Sequence, residues 1–159
     1  MIAFFQLKKN SFYSIIEFKR GRFCLLFFCE ICNKDADIHH IVHRYEGGFD
    51  IEINYKYVCE KHHRGKYGPH KYLETDIKYK IEMQNKLYKL FPNNFYKFKE
   101  LALLLNTSIN MVKRLTRNLK LYKEGYDKNE IILTLMGGRL YSKKDLENIE
   151  FEKLLKNIY

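Results

Sequence analysis

Residues 29–32 read CEIC and residues 59–62 read CEKH, and these two short motifs decide how the chain folds. Each is a knuckle whose two ligand residues, three positions apart, can face one metal ion. Four thiolate or imidazole ligands complete a tetrahedron around zinc, and a structural site of this kind leaves no position open for water. The spacing therefore predicts one structural Zn²⁺, here called the zinc staple, held by Cys29, Cys32, Cys59 and His62. Two unrelated ligand pairs, or a redox Cys-x-x-Cys, are the alternatives.

The remaining cysteine, Cys24, is expected in the core behind the staple. A secreted disulfide scaffold is usually smaller and richer in cysteine, so Cys and His residues clustered together indicate metal ligands in a reducing compartment. The N-terminal segment lacks the continuous apolar core and the cleavage site of a signal peptide. The sequence also contains no run of about 18 apolar residues. We therefore expect a cytoplasmic protein that does not span a membrane.

Between the knuckles lie two adjacent histidines, His39 and His40, in the stretch DIHHIV. The apolar residues there predict a strand, and the following YEGGF predicts a turn into a return strand. A His-His pair at the end of a strand can supply one metal ligand and one free base. If a helix opens at the second knuckle, His62 faces the zinc while His63 points towards the hairpin. His39 and His63 would then hold a second metal beside His40.

This arrangement resembles the HNH nuclease family, whose fold is a β-hairpin followed by a helix around one metal ion. The resemblance covers residues 29 to about 70. It rests on the pair His39-His40, on Asn54 five places before the second knuckle, and on His63 directly after that knuckle. It implies a metal-dependent endonuclease that hydrolyses DNA phosphodiester bonds, of the kind that phages and mobile elements carry.

The resemblance also implies a role for each of these residues. His39 and His63 would bind the catalytic metal, His40 would be the general base, and Asn54 would tie down the hairpin loop and orient His40. A histidine with an ordinary pKa of about 6.5 can take a proton from water around neutral pH, while a divalent cation stabilises the phosphoryl oxygens. Many family members have aspartate at the position of His39. We expect Mg²⁺ or Mn²⁺ as the catalytic metal and leave Zn²⁺ and Ni²⁺ open, because histidine is a less selective ligand.

Two further histidines lie near this pattern. His43 has no place in it and is interpreted as a surface residue or as one that supports a ligand. His70 follows the loop GKYGP, whose two glycines and proline favour a tight turn that folds back. Its open roles are a third ligand of the active metal, a phosphate contact and a helix cap. The basic side chains predicted to clamp backbone phosphates here are Arg64, Lys66 and Lys71.

A linking helix is predicted from Leu73 to Leu90, where apolar residues recur at the helical period before Pro92. Beyond this helix the sequence contains neither Cys nor His, which indicates a second module. Residues 98–106 predict its first helix. Residues 109 to about 119 predict a second helix, capped by the side chain of Ser108.

The last part of this module predicts a hairpin wing over residues 131–141 (IILTLMGGRLY) and a final helix capped by Ser142. The layout resembles the winged-helix domains of excisionase-like and MerR-like DNA-binding proteins, in which a Gly-Arg-x-Tyr/Phe-Ser wing precedes Lys-Lys-Asp-Leu. The resemblance implies that the second helix and the wing bind DNA. The side chains predicted to do so are Lys113, Arg114, Arg117 and Arg139. A small helical packing domain with a solvated basic face is the alternative.

The predicted fold class is α+β, with a zinc-bound ββα HNH module followed by a small winged-helix-like module. The predicted divisions are a peripheral extension (1–22), the nuclease module with its linking helix (23–92) and the DNA-binding module (93–159). The formal net charge of +10 is typical of a protein that binds nucleic acid, although a lysine-rich composition from an AT-rich genome gives the same charge. We predict DNA as the partner and leave the target sequence and the oligomeric state open. The rival functions are a non-catalytic zinc protein that regulates by binding DNA, and a nuclease that cuts RNA.

Overall fold

The computed structural model describes residues 13–19 and 22–156, and it describes side chains from Phe27 onward. The predicted mixture of helices and strands is confirmed. The elements are β1 (Tyr13–Lys19), β2 (Arg22–Phe27), β3 (Asp37–His40), β4 (Tyr55–Val58), α1 (Glu60–Arg64), α2 (Leu73–Leu90), β5 (Phe95–Tyr96), α3 (Phe98–Leu104), α4 (Ile109–Thr116), β6 (Tyr126–Asp127), α5 (Lys128–Leu135) and α6 (Lys143–Lys156). None of the described helices is both long and apolar enough to cross a bilayer.

The strands form three separate antiparallel pairs, β1 with β2, β3 with β4, and β5 with β6. The strand β2 leads into the first knuckle, and its partner β1 shows that part of the predicted extension is a strand. Residues 1–12 and the side chain of Cys24 lie outside the described residues, so their predicted roles stay predictions. In the second pair Asp37 lies opposite Val58 and His40 opposite Tyr55. That register brings the two adjacent histidines of β3 close to the second knuckle.

The short helix α1 and the loop after it return the chain towards β3. Cys59 has extended backbone angles and directly precedes α1, which ends before Gly65. A Cβ atom at Gly68 would lie 2.4 Å from the carbonyl oxygen of His63, so only glycine fits this close approach. The predicted fold-back of the loop is therefore confirmed, and it places His70 beside His63.

One hydrophobic core runs from the hairpin loop to α5. The helix α2 has the predicted bounds and buries Met83 and Leu87 completely. Fully burying a side chain of this size stabilises a fold by about 1.5–3 kcal/mol. Val42 from the hairpin loop and Leu101 from α3 belong to the same core, which therefore includes residues on both sides of the predicted boundary at residue 92.

The two helices predicted at the start of the second module are confirmed as α3 and α4. The hydroxyl of Ser108 accepts a hydrogen bond from the Met111 N–H at 3.2 Å and so caps α4, as the sequence predicted. The final helix begins directly after Ser142. There the Ser142 hydroxyl donates to the Asp145 carboxylate at 2.9 Å, and the Ser142 N–H donates to the same carboxylate at 2.7 Å.

The predicted hairpin wing is wrong, because its first half is the helix α5. The carboxylate of Asp127 accepts hydrogen bonds from the N–H groups of Asn129 at 2.8 Å and Glu130 at 3.2 Å, which is an N-cap. Burial of an apolar face of the helix then outweighs the β preference of the paired isoleucines. The helix ends where the Gly138 N–H donates to the carbonyl of Leu133 at 2.8 Å, and both Gly137 and Gly138 have positive φ.

Candidate metal centres and active site

The four residues of the predicted zinc staple lie together. The Nδ1 atom of His62 is 3.4 Å from the Sγ atoms of both Cys29 and Cys59, and the Sγ atoms of Cys32 and Cys59 are 3.6 Å apart. Zinc bonds of about 2.3 Å to sulfur and about 2.0 Å to nitrogen place tetrahedral ligands about 3.5–3.8 Å from one another. The four side chains can therefore hold a metal such as zinc.

The first knuckle is shaped by its backbone and prepared for a cation. The Asn33 N–H donates to the carbonyl of Cys29 at 2.8 Å, and Asn33 takes the left-handed conformation that closes this turn. Burial raises the pKa of the Cys29 thiol, but N–H groups of Cys59 and Ile31 outweigh it and lower the pKa to about 6. The thiolate, which is the form that binds metal, therefore predominates at neutral pH.

A second cluster, here called the histidine cluster, contains His39, His63 and His70. His39 is 1% exposed and His63 is 4% exposed, and their rings lie 5.0 Å apart. The Nε2 atoms of His63 and His70 are 2.9 Å apart. The predicted geometry, with His62 at the staple and His63 facing the hairpin, is thus found in the structure. His70 lies in the same cluster, a position that fits the first of its three alternative roles, that of a third metal ligand.

The protonation state of this cluster suits a cation. Burial and, after it, the charge that His63 can carry lower the pKa of His39 to about 3. Burial and the positive charge of Arg64 lower the pKa of His63 to about 4. Both rings are therefore neutral at pH 7 and carry a nitrogen lone pair. Within the described part of the chain the buried Nε2 atom of His39 has no hydrogen-bond partner. An orphaned buried nitrogen is costly, and a metal ion on that atom would remove the cost.

His40 points away from the cluster and reaches solvent. Its side chain is 21% exposed, and its Nε2 atom lies 3.0 Å from Oδ1 of Asp50. The hydroxyl of Tyr55 donates to the same oxygen at 2.6 Å. The hydrogen bond from Tyr55 and, after it, the one with His40 lower the pKa of Asp50. An ionised carboxylate therefore faces the His40 ring. Sequence reasoning missed Asp50, because only the folded hairpin brings it across to His40.

Asn54 performs one of its two predicted roles. It is fully buried; the Val42 N–H donates to its Oδ1 at 2.7 Å, and its Nδ2 donates to the carbonyls of Val42 at 3.0 Å and Phe49 at 2.9 Å. These bonds tie down the hairpin loop as predicted. The predicted orientation of His40 by Asn54 stays a prediction, and the side chain that contacts the His40 ring at 3.0 Å is that of Asp50.

His43 is partly buried, and its two predicted alternatives, a surface residue and a residue that supports a ligand, stay predictions. Its side chain is 13% exposed, and its Nε2 atom lies 3.8 Å from Oδ1 of Asp76, a buried residue of α2. The burial of His43 lowers its pKa, against the opposing pull of the Glu46 and Asp76 carboxylates. The sequence contains a signal that Asp76 is buried. Asp76, Lys80 and Met83 fall on one face of the predicted helix, at spacings of four and three residues. A charged pair on an apolar face indicates a buried polar contact.

An open cleft of about 270 Å³ lies over these side chains and gives a solvent-borne molecule access to them. It is lined by His39, His40, His43, Tyr45, His63 and His70. The cleft therefore joins the buried imidazoles of His39 and His63 to the partly exposed imidazole of His40. This is the arrangement that a metal ligand and a proton acceptor acting on one substrate would need.

The basic residues predicted to bind phosphates lie on two surfaces. On the first, Arg64 is exposed at the end of α1 and donates to the Asp37 carboxylate at 3.2 Å, and Lys66 lies over the ring of Tyr67. On the second, Lys113, Arg114 and Arg117 are exposed along α4. The guanidinium of Arg114 lies 6.0 Å from the ring centre of Phe49 in the hairpin loop, so α4 contacts that loop. Arg139 is exposed and donates to Asp145 at 2.8 Å.

Comparison of the chain with known protein families, with curated proteins and with solved structures finds no match.

Proposed function

We propose that this protein is a metal-dependent endonuclease that hydrolyses DNA phosphodiester bonds, of the kind that phages and mobile elements carry. Its HNH-like site would be joined to a DNA-binding helix–turn–helix. One observation carries the proposal. His39 and His40 are adjacent at the end of β3, yet His39 is buried among imidazoles while His40 faces the open cleft. A buried ligand and an exposed base side by side are what cleavage of a phosphodiester by water requires.

In this proposal each residue of the site has its own role. His39, His63 and His70 would hold a divalent cation, which would supply positive charge to stabilise the phosphoryl and leaving oxygens. Three imidazoles suit Zn²⁺ or Ni²⁺ better than they suit Mn²⁺ or Mg²⁺, which prefer oxygen ligands and would retain several waters. His40 takes a proton from the attacking water. Asp50 accepts a hydrogen bond from Nε2 of His40, which fixes the tautomer that leaves the Nδ1 lone pair to receive the proton.

Cleavage of a supercoiled plasmid tests the proposal. We expect the full-length protein, with zinc in its staple, to convert the plasmid to nicked or linear DNA when Mg²⁺ or Mn²⁺ is added, and to be inactive in the presence of a chelator. An RNA of the same sequence serves as the second substrate. Cleavage of the RNA alone would establish the RNA nuclease instead. Tight DNA binding without cleavage at any divalent metal would establish the non-catalytic regulator.

The helix α4 is proposed to supply much of the DNA affinity. Its exposed basic side chains can contact backbone phosphates, and each contact released lowers the slope of log affinity against log salt by about 0.9. We expect the pair Lys113→Ala and Arg117→Ala to weaken binding and to flatten that slope by about 1.8 in a fluorescence-anisotropy titration over several salt concentrations. The pair Lys86→Ala and Lys89→Ala removes the same charge from exposed positions of α2 and is the control. Equal slopes for the two double variants would favour a packing role for this part of the chain.

A further inference from the structure

A second group of metal-ligand side chains adjoins the histidine cluster on the side of α2. It contains His39, His43 and Asp76, and one ligand atom from each lies within 4.8 Å of the others. His39 is common to this group and to the histidine cluster, whereas Asp76 enters from the first turn of α2. The two groups therefore share the buried imidazole of His39.

The ligand atoms of this group lack the hydrogen bonds that buried polar atoms normally have. Among the side chains that the structure describes, neither Nε2 of His39 nor Oδ1 of Asp76 has a hydrogen-bond partner. The 3.8 Å between Oδ1 of Asp76 and Nε2 of His43 is too long for a hydrogen bond. It does fit two ligands that lie about 2.1 Å from one ion at an angle of about 130°. The spacing of these atoms therefore suits a shared cation.

The charges around Asp76 also favour a cation there. The ammonium of Lys80, 3% exposed, lies 2.9 Å from Oδ2 of Asp76 and 2.7 Å from Oε1 of Glu46. Two carboxylates and one ammonium give this trio, in which Glu46 is partly exposed, a net charge of −1. Because Lys80 occupies Oδ2, the other oxygen of Asp76 remains available on the side that faces His43.

We propose that His39, His43 and Asp76 form a second position for a divalent transition-metal ion such as Zn²⁺ or Mn²⁺. Two imidazoles and a carboxylate are a ligand set that binds such ions and leaves a position open for water. Since the unpartnered Nε2 of His39 can bind only one ion, the ion occupies one of the two positions at a time. This inference deepens the proposed function and rests on it for the use of the ion, but the binding position itself can be tested without DNA.

Cobalt titration of the full chain, with zinc already in the staple, tests the second position. The double variant His63→Ala with His70→Ala removes the other two imidazoles of the histidine cluster and leaves the second position intact. We expect this variant to bind one Co²⁺ with visible absorption bands but without the thiolate charge-transfer band that cobalt in the staple would give. A folded double variant that binds no Co²⁺ would overturn the inference.

Adding Asp76→Asn to that double variant removes one ligand of the second position. We expect the Co²⁺ affinity to fall by roughly tenfold or more, the range in which altered metal-site residues act. Glu46→Gln in the same double variant is the control, because it removes the other carboxylate at Lys80 and should change the affinity by less than about threefold. Equal Co²⁺ affinity with and without Asp76→Asn would also overturn the inference. Plasmid cleavage on the same samples separates the two ideas, since an ion bound at Asp76 without any cleavage contradicts only the proposed function.

Discussion

Replacing Cys32 with serine should unfold the part of the chain around the zinc staple. Binding of a structural zinc contributes about 10–16 kcal/mol in isolated zinc-finger peptides, more than the whole stability of many domains. The apolar cluster at the staple is small, comprising Cys29, Val58 and Cys59 with Ala36 packed against it. Without the ion these residues have too little buried area to hold β3, β4 and α1 together.

Two measurements check this expectation. The Cys32→Ser protein should contain no stoichiometric zinc, and amide hydrogen exchange should show lost protection from about residue 27 to residue 72. Protection in α2 to α5 should persist, because most members of the large core lie on those helices. Cys24→Ser removes a cysteine outside the staple and should keep its zinc. A zinc-free Cys32→Ser protein with unchanged protection in β3 and β4 would contradict the staple.

The staple and the linking helix could be predicted because their signals are local. Two ligands three residues apart must share a turn, so the Cys and His spacing identifies the zinc ligands without any knowledge of the fold. The bounds of α2 follow from the apolar period and from Pro92, which ends the pattern at Leu90. The capping hydroxyl of Ser108 is a local signal of the same kind.

The parts that could not be predicted depend on contacts between distant segments. Asp50 reaches His40 only through the folded hairpin loop, and Asp76 reaches His43 only because α2 packs beneath that loop. The wing prediction failed because Ile131 and Ile132 favour a strand locally, whereas the cap at Asp127 and the burial of both side chains favour a helix. Tertiary burial overrides a local preference of this size.

Replacing His40 with alanine should nearly abolish cleavage while leaving the metal sites intact. Loss of a general base lowers a rate by about a hundred- to ten-thousandfold, which is about 3–5 kcal/mol of activation free energy. His40 belongs to none of the three groups of metal-ligand side chains in the described structure, and its side chain lines the cleft. Zinc content, cation binding and DNA affinity should therefore match those of the wild type. Asp50→Asn should lower the rate less, because it alters the orientation of the ring and leaves the ring in place.

Variants of the cluster itself should fail in a different way. His63→Ala removes a ligand, so its cleavage should weaken and recover in part at high metal concentration. His39→Asp should be the mildest of the three changes, since a carboxylate is a good ligand for a hard cation such as Mg²⁺. The measurement is the cleavage rate of each variant against metal concentration, with zinc at the staple checked in parallel. A His40→Ala protein that cuts as fast as the wild type would disprove the assignment of the base. If none of the three changes affects cleavage, the catalytic site lies elsewhere in the chain.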